Sequence, residues 1–351
     1  MKANIPLYIL YFLFVISSCN IGKAQRVSLD NLDRYKLVTI SNRTNEDDIF
    51  LGRAQRINLI NNYLVVNDIY DGKMITLVSK DLKSSKHILH RGMGPGEFYN
   101  GLSIYQTQGN LVKIVEQGLG RIRTFKWDDV INERVEKALA SDTIKSMGAL
   151  IPWEDNYVIS DVKNDNNLVS LVTSKQKELA RFAKYPGEIA AKHKNNAMTM
   201  NMLLECLINV NQKQNVIVVA GRHSDYLSFY KMEGVRPVPL HEYFTYSADR
   251  DILENDNMIS IRDNERTMLA YNDLCAGQKY LYALYEGMKM KQKERPKYTY
   301  LRVFDWNGNF VKGYKFNELL YDIAVDEESN TLYGLASGES DHICIYKLDD
   351  L

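Results

Sequence analysis

One phrase recurs six times along this chain: a turn, a short run of β-forming residues, then a second polar turn. In order it reads NNYLVVND, QGNLVKIVEQ, EDNYVISDV, KQNVIVVAG, GQKYLYALYEG and SNTLYGLASG. The equivalent positions are Tyr63, Leu111, Tyr157, Val216, Tyr280 and Leu332, separated by 48, 46, 59, 64 and 52 residues. A period of that size means one supersecondary unit per repeat, each burying its apolar surface against its neighbours. Three or four strands fit around each phrase. The first unit reads RINLIN, NYLVVND, KMITLVSK and SSKHILHR, and the fifth TMLAYNDLCAG, KYLYALYEG, YTYLRVFDWN and NFVKGYKF. Four short strands repeated six times predict an all-β six-bladed β-propeller. Strands covered on both faces read as continuous apolar runs, and the last strand of a unit, such as SSKHILHR, carries charge.

The sixth unit is one strand short, ending with LYDIAVD, TLYGLASG and HICIYKL. A spare strand, YKLVTIS (35–41), precedes the first unit. The expectation is a ring closed by this N-terminal strand added to the last blade, which removes an open sheet edge. HRGMGPGEF lies between the outermost strand of unit one and the innermost strand of unit two. Glycine permits the sharp turn back to the axis, and Pro95 fixes one φ. A weaker copy, YPGEI, stands at the third crossing. A phosphate-binding loop would need a following helix and a Lys-Ser/Thr pair, and neither is present, so the motif reads as a structural corner. Asn307-Gly308 marks a hairpin turn.

The N-terminus has a different character. Lys2 is the only charge before Lys23, and Ile5 to Ile16 is an apolar run of signal-peptide length, short for a membrane span. Ile16, Ser17, Ser18 and Cys19 then resemble a bacterial lipobox, with cleavage before Cys19 and a lipid on its sulfur. The chain divides into a lipoprotein signal peptide (1–18), a tether (19–34) and a propeller (35–351). Lys plus Arg and Asp plus Glu both number 44. That balance lacks the basic field a nucleic-acid-binding protein needs. Cys206, Cys275 and Cys344 lie in apolar stretches about seventy residues apart. That spacing favours inert buried thiols over metal ligands.

RGMGPGEFYNGLSIY resembles the junction of an NHL repeat, and LYDIAVDEESNTLYGLASGESDHICIYKLD resembles the later part of the same repeat. Together with the lipobox, the chain resembles the six-bladed propeller lipoproteins of Bacteroidetes described as NHL-like or TolB-like. The resemblance implies a propeller in the cell envelope, held by its lipid and facing the periplasm, with display on the outer surface as the open alternative. It implies no particular activity: related propellers bind proteins, peptides or sugars, and a minority are metal-dependent hydrolases or lyases.

In such a propeller one face collects the crossings between blades and the turn after each second strand. Those turns bring Asp68, Tyr70, Glu116, Arg121, Asp161, Arg222, His223 and Glu286 towards one mouth, and Arg91 and Glu97 approach from a crossing. Mixed charge with aromatics suits a polar ligand or a protein surface. The expectation is a non-catalytic binding protein without a cofactor, taking a protein, peptide or glycan on that face, with the membrane as its second partner and no nucleic acid. The alternative is a metal-dependent hydrolase or lactonase holding a divalent ion at the channel mouth. Glu116 and Asp161 supply two ligands for it, but the repeat offers no matched third. The six histidines form no zinc-type pattern, and no Gly-x-Ser-x-Gly elbow occurs. The larger insertions are 187–201 and 244–266, the second read as a short helix or lid.

Overall fold

The computed structural model describes residues 29, 31–44, 49–99, 101–107, 109–146, 148–163, 165–187, 196–255, 258–291, 296–338 and 340–349. The expected signal peptide, Cys19 and most of the expected tether lie outside the described residues.

Six antiparallel sheets follow one another along the chain. From axis to rim, blade one is Ala54–Ile60, Tyr63–Tyr70, Lys73–Ser79 and Ser85–His90. Blade two is Leu102–Gln106, Leu111–Glu116, Arg121–Lys126 and Ala140–Thr143. Blade three is Leu150–Trp153, Asn156–Ser160, Asn167–Thr173 and Glu178–Lys184. Blade four is Cys206–Asn211, Val216–Gly221, Tyr226–Glu233 and Arg236–Phe244. Blade five is Met268–Ala276, Tyr280–Lys289, Thr299–Asp305 and Phe310–Phe316. Blade six begins with Leu320–Asp326, Thr331–Ser337 and Asp341–Lys347.

Burial explains the strand compositions. Every residue of Val216–Gly221 is buried, because blades stack on both of its faces. Ser85–His90, at the rim, buries only Ile88 and Leu89. Neighbouring blades meet through aromatic pairs such as Phe229 with Phe304, whose ring centroids lie 5.6 Å apart. Cys206, Cys275 and Cys344 are free thiols, and burial pushes Cys206 up to about 11 and Cys344 up to about 12.

The ring closes where the chain's ends meet, by a finer division than one spare strand. Asn42–Arg43 pairs antiparallel with Cys344 and Ile345 as the outer strand of blade six. Ser41 N and Thr44 N donate to Ile345 O and Ile343 O at 2.8 and 2.9 Å. Lys36–Val38 instead runs parallel to Tyr314–Phe316, adding a fifth strand to blade five. Tyr35 anchors the start of this segment to blade five. Its ring stacks on Phe310 and lies against Gly313, where a Cβ would come within 2.6 Å of the ring.

Inner strands are stitched around the channel by side chains at equivalent positions. Asp322 Oδ1 accepts from Ile57 N at 2.8 Å, joining blade six to blade one. Asp273 Oδ2 accepts from Ile323 N at 3.1 Å, joining five to six. Asn209 Nδ2 donates to Leu274 O, joining four to five, and Arg56 Nη1 donates to Ser103 Oγ at 3.2 Å, joining one to two. Farther out, the fully buried Arg302 of blade five donates to Asp225 of blade four at 2.8 Å and to Tyr271 OH at 2.6 Å. Its guanidinium lies 3.5 Å from the centre of the Tyr285 ring.

The crossing at Arg91–Phe98 is a tight corner. Gly92 N donates to Phe98 O at 2.9 Å, and Glu97 Oε2 accepts from Gly94 N at 2.7 Å. A methyl group on Gly92 would run into that carboxylate, so the glycines make room for a Glu that folds back to cap its own turn. In the third crossing, Ala197–Leu203 is a helix whose Thr199 N is capped by Asn196 Oδ1 at 3.0 Å. The fourth crossing forms a β-hairpin, Asp251–Asn255 with Met258–Arg262, and not a helix. Ile252 and Ile261 face each other across it and pack on the core of blades three and four, which a period of two allows and a helical period would not.

Candidate functional site

The face carrying the crossings and second-strand turns holds three kinds of environment. The first consists of carboxylates committed to the fold. Asp68 is fully buried under blade one and accepts from Arg53 N at 2.6 Å, Gly52 N at 3.2 Å and Thr76 Oγ1 at 2.9 Å. Glu116 is also fully buried. Arg121, directly opposite it in the ladder, donates to it from Nε at 2.5 Å and from Nη2 at 2.7 Å. Arg123 Nη2 adds a bond at 3.2 Å and Tyr99 N one at 2.9 Å. The Glu116 hydrogen bond holds the Arg121 guanidinium above its ordinary value, while burial pulls Arg123 below it. Glu97 caps its corner. Asp161 pairs with Arg181 at 3.0 Å and Lys163 at 2.9 Å on the side of blade three. These four acids, placed at the mouth by sequence reasoning, are occupied by partners, and Asp68 and Glu116 are withdrawn from solvent.

The second environment lies beside the channel at blades four to six. Arg222 and His223 follow the second strand of blade four, with Glu205 3.6 Å from Arg222 Nε and 3.5 Å from His223 Nε2. Burial pushes the Glu205 carboxyl up, but the His223 hydrogen bond and the Arg222 charge outweigh it and hold the group below its usual range. Glu286 accepts from Asn272 Nδ2, and burial raises its carboxyl against that bond and Arg222. Deeper in, burial raises Asp273 and Asp322, with Arg56 and Arg222 opposing the rise. Sequence reasoning brought Arg222, His223 and Glu286 here. It missed Glu205, Asn272, Asp273, Asp322 and Arg56. The recurring pattern of Asn209-Val210, Asp273-Leu274 and Asp322-Ile323 in the inner strands was the signal available. Among the described residues, no three His, Cys, Asp or Glu side chains come together as a metal site.

The third environment is apolar and exposed, over blades one and two. Phe50 packs against Tyr70 with ring centroids 5.0 Å apart, and Tyr70 against His87 at the same distance. Arg91 N donates to Gly72 O at 2.8 Å, which seats the corner beside the turn after Tyr70. Tyr99 is held beside the next turn through Glu116, and Gln117 N bonds Gly101 O at 3.1 Å. This arrangement leaves Phe50, Tyr70, Met93, Tyr99 and Leu119 exposed on the connections of this face, Met93 with 63% of its surface free. Arg91 stands exposed among them. Sequence reasoning placed Tyr70 and Arg91 here but not the other four, which come from three separate connections.

Among protein families, that described as TolB-like 6-blade propeller-like matches residues 36–328. No curated protein matches the chain. Solved structures share the fold at low identity. One is a "Putative exported protein" of Bacteroides fragilis, 12% identical, with a TM-score of 0.52 over 89% of this chain and 93% of that one. Another is a member of the DUF4221 family from Bacteroides vulgatus, 11% identical, with a TM-score of 0.52 over 89% and 97%. A third is the Cps50 (Swd1) β-propeller domain of Myceliophteria thermophila, 9% identical, with a TM-score of 0.51 over 88% and 99%.

Proposed function

The chain belongs to the TolB-like six-bladed propeller family, and from that premise we propose that it is an exported, lipid-anchored binding protein that docks a protein or peptide over blades one and two. The observation that carries this reading is the exposure of Phe50, Tyr70, Met93, Tyr99 and Leu119 on the connections of one face, with Phe50 packed on Tyr70. Single exposed apolar residues are ordinary, whereas several large ones gathered on the connections of two neighbouring blades favour an interaction site. Aromatic residues, Met and Arg are the side chains enriched at protein interfaces, and Met adapts its shape to a partner. The face's carboxylates favour the same conclusion, because most are already satisfied internally and leave little polar chemistry for a small ligand.

Export and anchoring rest on the apolar run before Ser17-Ser18-Cys19, and the description of the Bacteroides fragilis protein as exported supports the first of these. Cys19→Ser should move the protein from the membrane to the soluble fraction, and unchanged membrane association would reject the anchor. For docking, a photo-crosslinking residue at position 93 or 99 of the full chain should trap a protein in native envelopes. The same probe at Val235, exposed on the opposite face, should not. Equal adducts from both faces, none from either, or adducts containing only carbohydrate would overturn the reading.

A further inference from the structure

The chain enters the propeller at a defined place. Leu29 is buried, packed into the apolar core of blades four and five. Tyr35 OH donates to Leu29 O at 3.4 Å, and Lys315 Nζ donates to Asp33 O at 3.1 Å. The Tyr35 ring lies 6.0 Å from both Phe310 and Tyr300. Lys36–Val38 then follows Tyr314–Phe316 in parallel. The outer strand Phe310–Phe316 runs from a turn on the opposite face to a crossing on the loop-rich face. A parallel neighbour runs the same way, so the residues ahead of Lys36 lie towards the opposite face. Leu29, Asn31 and Arg34 accordingly line a hollow with Phe310 and Lys312, in the first half of that strand.

Distance then limits how an anchored propeller can present its docking face. From Cys19 to Leu29 the chain advances ten residues, which reach at most about 36 Å when fully extended. From Lys312 to Phe316 the strand rises about 13 Å towards the loop-rich face, and a small folded domain is about 30 Å across. A partner lying between that face and the anchoring membrane would therefore need more than about 40 Å of tether, which the chain cannot supply. The order of the blades points the same way. In a ring of six, blade five stands opposite blade two and blade four opposite blade one. The chain thus enters across the axis from Tyr70, Met93 and Tyr99.

We propose that the tether turns the docking face of the anchored protein away from its own membrane, so that the partner is a folded protein approaching from the aqueous side. This rests on the lipid anchor and the docking surface proposed above. The test uses the full lipidated chain on phosphatidylcholine vesicles carrying an acceptor dye on a lipid headgroup. A fluorescent amino acid is placed in turn at position 93, on the loop-rich face, and at position 235, on the opposite face. Both native residues are exposed, Met93 by 63% and Val235 by 48%. Energy transfer should be at least about twofold stronger from position 235, because the two faces lie about 23 Å apart, one strand length. An insertion of about twenty residues ahead of Leu29 adds roughly 70 Å of reach and should bring the two values together. Equal transfer from both positions, or stronger transfer from 93, would overturn the orientation and leave the anchor standing. A difference that survives the insertion would overturn it too, since the tether would not be what sets it. Protein that stays off the vesicles altogether would reject the anchor and the orientation with it.

Discussion

Glu116→Gln separates a structural carboxylate from a ligand-binding one. Glu116 is fully buried, and its two oxygens receive Arg121 Nε, Arg121 Nη2, Arg123 Nη2 and Tyr99 N. Glutamine keeps one acceptor and places an amide donor where the other oxygen met guanidinium donors. Arg123 is 9% exposed, so water cannot replace the lost partner there. Breaking a buried ion pair from one side costs about 3–5 kcal/mol. With unfolding entropy near 2.1 cal/mol/K per residue over roughly 300 ordered residues, that loss lowers Tm by about 5–8 °C. The assay is differential scanning calorimetry of the mature chain, with a urea titration to confirm that the m-value is unchanged. Neighbouring exposed changes such as Lys126→Gln should stay within about 0.5 kcal/mol. A Glu116→Gln protein that melts with the parent while losing its partner would refute the reasoning, because the carboxylate would then be accessible.

Two further perturbations test the frame around the site. A chain beginning at residue 49 lacks the outer strand of blade six, whereas one beginning at residue 39 loses only the parallel strand on blade five. The first should melt well below the second and aggregate through its open edge, and coincident melting curves would count against closure by residues 41–44. Glu286 has its carboxyl raised by burial, against the Asn272 bond and Arg222. An acid raised on folding contributes stability that is complete below its unfolded value, near 4.3, and that fades as pH rises through the folded value. Glu286→Gln should therefore melt higher than the parent at pH 7 and together with it near pH 4, and a lower melting temperature at pH 7 would show that the charge is stabilising.

The repeat was legible because strand pairing follows local chemistry. Turn residues and β-branched or aromatic runs recur at each blade, and the first and fifth blades lie where their phrases placed them. The corner at Gly92 was legible too, although the reason for its glycines, a Glu97 carboxylate folded over them, depended on a rotamer. The Glu116–Arg121 pair was within reach of a stricter reading, since the two flank one turn and stand opposite each other. The hairpin at 251–262 was misread because short charged insertions carry little periodicity and their pairing is decided by what they pack on.

Taken alone, the order of residues determined six similar sheets and, through the sixth unit's missing strand, the meeting of the N-terminal segment with the last blade, since both follow from a repeated pattern. Only the tertiary structure decided which charged turns face solvent and which are spent on one another. It also decided that Phe50, Tyr70, Met93 and Tyr99 stand exposed on one face while Leu29 and Tyr35 are held beside Phe310 across the ring. Such groupings join residues from different blades and connections, and their proximity follows from how the sheets stack around the axis, which no local pattern encodes.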